Sequence, residues 1–162
     1  MYSIGDNVLY GANGVMTVVD IREELVGASA QRYYILRAYG TRSESLIYVP
    51  VDNERLVLAM QPLLTPEQAG AFISGQIELP TIEWIADNRA RGECFKAIVE
   101  SGDRAAMLAM IRMVHESGLA REREGKKNFI TDENAKTKAE KILITELALV
   151  LGVSEQDIPS FV

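Results

Sequence analysis

"NVLYGANGVMTVVDI", Asn7–Ile21, sets two apolar runs on either side of Gly11-Ala12-Asn13-Gly14. The runs are rich in β-branched and aromatic residues, and the glycine–asparagine centre is turn chemistry, so the stretch reads as two strands joined by a tight connection. Strict alternation places Val15, Thr17, Val19 and Ile21 on one face and Met16, Val18 and Asp20 on the other. Two more runs follow, "RYYILRA" (Arg32–Ala38) and "LIYV" (Leu46–Val49), each bounded by glycine- or serine-containing turns. Four or five short strands with no helix between them predict a small antiparallel barrel over residues 1–58.

Past Pro50 the pattern changes period. "LTPEQAGAFISG" carries Thr65 as an N-cap, Pro66 at the first helical position and Gly75 beyond the end. Helix is expected from about Thr81 onward. Met107, Met110, Ile111 and Val114 form an amphipathic stripe, capped by Ser101 or Asp103, and Ile144, Leu147, Ala148 and Leu151 form another ending at Gly152. Between them, Arg121–Asn128 ("REREGKKN") reads as a charged linker that solvates itself or meets phosphate. Ser154 and Asp157 form a capping pair near the C-terminus. The fold class expected is α+β in two modules, with an all-helical one at 62–162.

Composition narrows the function. A net charge of −6 offers no long-range attraction to nucleic acid, so a DNA contact has to be local and assisted. The single histidine, His115, and the single cysteine, Cys94, leave no acid–base, nucleophile or metal constellation. A non-enzymatic protein without cofactor or metal is expected. No 18-residue apolar run and no basic-then-apolar start occur, which with one cysteine predicts a cytoplasmic protein.

One tryptophan stands out, Trp84 in "EWIADNRARGECF" (Glu83–Phe95), with Arg89 and Arg91 close behind. On a helix, Ala86, Ala90, Cys94, Ala97 and Ile98 would form a packing stripe, and Trp84 would lie off it, in line with Arg91 and Phe95. Two readings stay open: a core residue under a second packed element, or an exposed indole that stacks on or wedges between bases beside arginines on phosphate.

Taken together, Ile4–Val15, Tyr48-Val49-Pro50, Trp84 followed by Ser101-Gly102-Asp103, and Ala139–Leu149 resemble the CarD/CdnL family of bacterial transcription regulators. The resemblance implies a Tudor-like β domain that binds the RNA polymerase β subunit. It also implies a helical domain that touches promoter DNA at the upstream edge of the bubble and alters open-complex stability. The family's minor-groove tryptophan falls on Trp84. Better-studied members carry arginines where this chain has Ala86, Asp87 and Tyr48, and a basic residue where it has Glu24. The site residues expected are Trp84, Arg89, Arg91, Lys126 and Lys127 for DNA, and Arg22, Glu24 and Tyr48 for polymerase. The alternative is a protein–protein adaptor with a buried Trp84 and no DNA contact.

Overall fold

The computed structural model describes all 162 residues. The chain divides into two compact units, Met1–Leu63 and Leu64–Val162.

The first unit is a five-stranded antiparallel sheet in the order β4-β3-β2-β1-β5. Its strands are β1 (Asn7–Tyr10), β2 (Val15–Val26), β3 (Ser29–Ala38), β4 (Ile47–Pro50) and β5 (Met60–Pro62). The β1–β2 connection runs through a single 3-10 turn, Gly11–Asn13, closed by Tyr10 N donating to Gly14 O at 2.9 Å. Gly14 takes φ +72°, a region open to glycine without steric cost. One face of the sheet buries Val8, Met16, Val18, Tyr34, Leu36, Val49 and Met60.

Simple alternation fails along β2. Val18 pairs with Leu36, but Asp20 pairs with Ile35, so Val19 is an extra residue in the ladder. Such a bulge shifts the side-chain phase by one position. Ile21 therefore sits opposite Tyr34 and packs on the Met16–Val18 core, not with Val15 and Thr17. The β2–β3 hairpin is also longer than the sequence runs, ending at an exposed Leu25 and Val26.

The sheet module does not end at residue 58. A short helix, α1 (Glu54–Ala59), starts where Asn53 Oδ1 accepts from Leu56 N at 3.1 Å, and β5 then returns the chain to β1. This helix intervenes between β4 and β5, which form the two ends of the sheet.

The second unit is helical: α2 (Pro66–Ser74), α3 (Asn88–Ser101), α4 (Arg104–Arg123) and α5 (Ile130–Leu151), with a closing 3-10 turn at Glu155–Asp157. Helix α2 has the expected ends. Thr65 and Gln68 form a reciprocal capping box, Pro66 opens the helix, and Gly75 closes it at φ +76°. Asp103 caps α4 through Ala106 N at 3.0 Å, and Met107, Met110, Ile111 and Val114 are all buried. Helix α4 runs further than expected. Arg121 and Arg123 form its last turn, where cations meet the negative end of the helix dipole, and only residues 124–129 connect to α5.

On α5 the buried face is Ala139, Ile142, Leu143, Glu146, Leu147 and Ala148, whereas Ile144 and Leu151 are only half-buried. The shift in face follows Glu146, which is wholly buried. Its Oε1 accepts from Leu64 N at 2.9 Å and from Arg104 Nη2 at 2.6 Å, and its Oε2 accepts from Arg104 Nε at 3.0 Å. One carboxylate thus fastens the entry to α2 and the start of α4 onto α5. Phe161 at the C-terminus, which has no periodic signal, stacks edge-on against Phe72 at 6.3 Å, and its carbonyl accepts from Arg112 Nε.

Glu146→Ala removes the carboxylate to which both the Arg104 guanidinium and the Leu64 amide donate. Removing one partner of a buried ion pair costs about 3–5 kcal/mol. Urea unfolding followed by the emission of Trp84, which lies in the helical unit, should show that loss. A change under 1 kcal/mol would mean that this carboxylate does not hold the helical unit together.

Candidate nucleic-acid interface around Trp84

Trp84 does not lie on a helix. Residues 79–86 carry no regular secondary structure up to the bend at Asp87, and α3 begins only at Asn88, where Asp87 Oδ2 accepts from Ala90 N at 2.8 Å. Aspartate is among the strongest N-caps, and it sets the boundary several residues later than expected. The small-residue stripe is not the buried face: Ala86, Ala90 and Ala97 are exposed, and Cys94 and Ile98 are only half-buried. Helix α3 turns Arg91, Phe95 and Val99 inward, at spacings of one helical turn.

Arg91 is the correction that matters most. Its side chain is 1 % exposed, so it cannot meet phosphate from this position. It is paired instead with Asp132, itself buried in the first turn of α5: Nε donates to Oδ1 at 3.1 Å and Oδ2 at 3.0 Å, and Nη2 lies 3.0 Å from Oδ2. Its remaining donors are used as well. Nη1 donates to the carbonyls of Ile85 at 2.8 Å and Ala86 at 3.4 Å, and Nη2 donates to Asn88 Oδ1 at 2.8 Å. A buried guanidinium is tolerated only when its charge and its donors are both met, and here both are.

The same guanidinium lies over two rings, 4.2 Å from the centroid of Trp84 and 4.7 Å from that of Phe129. Arg121, from the last turn of α4, lies 3.9 Å over Phe129, and its Nε donates to Lys127 O at 2.7 Å. Two cations and two aromatic rings thus form one continuous assembly. Each desolvated contact of this type contributes roughly 1–2 kcal/mol. Trp84 remains 41 % exposed in spite of Arg91 beneath it. Beside it opens a concavity of about 260 Å³ whose walls include Ala86, Ser117, Arg121 and Phe129.

The other cations expected at DNA are on the surface. Arg89 is 90 % exposed and loosely paired with Glu93 at 3.5 Å. Lys126 and Lys127 are exposed in the α4–α5 connection, with Lys126 Nζ 3.0 Å from Glu124. Lys127 is tied to the Trp84 assembly through its carbonyl, by way of Arg121. Phe129, Asp132 and Arg121 carry no local signal that marks them as partners of Trp84, since they come from the far side of α4 and the start of α5. Gly118 admits the connection: a Cβ there would lie 2.9 Å from Asn128 Nδ2.

In the first unit, Tyr48 is 44 % exposed on the end strand β4, edge-on to Tyr33 at 6.0 Å. Arg22 and Glu24 are both exposed on β2. Arg22 bonds Asp20 at 2.9 Å and lies 3.8 Å from Glu24. The hydrogen bond to Asp20 pushes the Arg22 pKa further above its ordinary value, so it stays charged at any working pH. No group of three or more His, Cys, Asp or Glu side chains is arranged to hold a metal ion, and no helix is long and apolar enough to cross a membrane.

Asp132→Ala leaves Arg91 buried and unpaired, which costs about 3–5 kcal/mol. The melting temperature should fall, and Trp84 emission should move to longer wavelength as its support loosens. An unchanged melting temperature would show that the carbonyls of Ile85 and Ala86 suffice for Arg91.

Among curated proteins, none matches the chain. Residues 2–64 match the family model described as the CarD-like/TRCF RID domain. That span covers the five-stranded unit from β1 to β5. Members of this family carry a domain that interacts with the RNA polymerase β subunit. The likeness to the CarD-like/TRCF RID domain is thus carried by the N-terminal unit.

Proposed function

We propose that this protein is a bacterial transcription regulator whose first unit binds the RNA polymerase β subunit and whose helical unit stacks Trp84 against promoter DNA at the upstream edge of the bubble. By occupying that edge, it changes the lifetime of the open complex. The observation that carries the reading is the half-exposed indole, supported from beneath by a buried arginine, in a chain that also bears an RID domain. A ring sealed in a core would have favoured an adaptor without DNA contact.

The polymerase contact uses the β4 end of the sheet, where Tyr48 is exposed, together with Arg22 and Glu24 on β2. A strand at the end of a sheet has main-chain groups on its outer side that can pair with a strand of a partner, and exposed side chains beside it select that partner. On the DNA side, Trp84 supplies the flat apolar surface, and Arg89, Lys126 and Lys127 supply phosphate contacts. Arg91 has no part in phosphate contact.

Tethering removes the difficulty of the net charge of −6. A second contact made by an already bound molecule is intramolecular, with an effective concentration that reaches the millimolar range for short linkers. Few phosphate contacts are then required, and the partial unstacking that a wedge demands, a few kcal/mol per step, is smallest where the duplex is already opening.

Trp84→Ala decides the DNA half. Stacking on an aromatic side chain contributes about 1–3 kcal/mol per base. Open complexes formed with the variant should therefore decay at least about fivefold faster than with the parent, while polymerase binding stays unchanged. Equal decay rates would refute the wedge. Failure of purified β-subunit fragments to capture the chain would refute the tether.

A further inference from the structure

Arg91 is an unexpected occupant of its position. It lies on the inward line of α3 whose other members are Phe95 and Val99. A buried guanidinium–carboxylate pair usually gives no stability over apolar residues of similar volume. As a fastening between α3 and α5 it is therefore poorly explained. An apolar residue could not, however, do two things that Arg91 does. It could not put a flat cation 4.2 Å beneath the Trp84 ring, and it could not gather the carbonyls of Ile85 and Ala86, which immediately follow Trp84. One side chain holds the ring from below and the backbone from behind. Without such support, a half-exposed side chain on an irregular segment exchanges rotamers on the picosecond-to-nanosecond scale.

We propose that Arg91 is the positioning residue for Trp84. Held by Asp132, its guanidinium caps one face of the indole and fixes the ring outward. At most one face is then left for stacking. The ring can lie flat against the last base pair of an opened duplex, but it cannot enter between two stacked pairs, which would require both faces. The DNA part of this inference rests on the proposed function; the fixing of the ring does not.

The test is the double variant Arg91→Met/Asp132→Leu, which replaces the ion pair by apolar volume and is expected to melt at or above the parent temperature. Because the chain has one tryptophan, time-resolved fluorescence anisotropy reads Trp84 alone. The parent should decay almost entirely with overall tumbling, and the double variant should gain a fast sub-nanosecond component. Its open complexes should decay roughly two- to tenfold faster than the parent's. Arg91→Lys keeps a charge opposite Asp132 but lacks the plane, and it should behave like the double variant in both measurements; it carries the test if the double variant does not fold. A folded variant with the parent's anisotropy decay overturns the proposal, as does a mobile ring with an unchanged open-complex lifetime. If Trp84→Ala itself leaves that lifetime unchanged, the proposed function fails, and the anisotropy alone then decides whether Arg91 fixes the ring.

Discussion

A charged guanidinium inside a helical bundle has to find an anion and enough acceptors, or it stays in water. In the second unit of this protein that requirement falls on Arg91, and meeting it organises everything nearby. Asp132 comes from the first turn of α5, Ile85 and Ala86 offer carbonyls from the segment before α3, and Asn88 contributes from the start of α3 itself. Three parts of the chain are thus set against one another by the donors of a single side chain. The Trp84 ring rests on the same group, 4.2 Å from it.

The two units are held by different means. The three buried charged side chains, Arg91, Asp132 and Glu146, all belong to the helical unit, whereas the sheet closes over a wholly apolar cluster together with Tyr34. Helix α5 carries both buried acids about four turns apart on one side, and it packs against α2, α3 and α4. A sheet obtains its register from main-chain pairing and side-chain alternation. Helices lack that ladder between them, and here two buried ion pairs, Arg91–Asp132 and Arg104–Glu146, cross from α3 and α4 to α5.

The proposed division of labour follows from this difference. In the proposed function, the first unit confers the address through a strand edge and a few exposed side chains. In the same proposal, the helical unit carries a tool whose geometry is fixed before it meets DNA. The proposal suits an acidic molecule because the attraction that a free DNA binder draws from many cations would be replaced by attachment to polymerase. Preorganisation of the ring serves the same end, since less ordering remains to be done on binding.

Much of the architecture was legible in the sequence because it is written in local chemistry. The strands over Asn7–Tyr10 and Val15–Ile21, the Thr65 to Gly75 helix with its caps, and the Asp103-capped α4 with its methionine stripe each depend on residues within a few positions of one another. Other features had no local signature. The bulge at Val19 appears only when β2 is laid beside β3, and the length of α4 past Gly118 depends on Asn128 and Phe129 folding back beside it. The sequence marked Trp84 as the residue to watch but misjudged its surroundings: Asp87 starts the helix late, and Arg91, set down as a phosphate contact, is buried. That outcome was decided by Asp132, 41 positions away. Periodicity can say which face of a helix is apolar, but whether an arginine points to water or inward depends on an acid that only the tertiary fold brings to it.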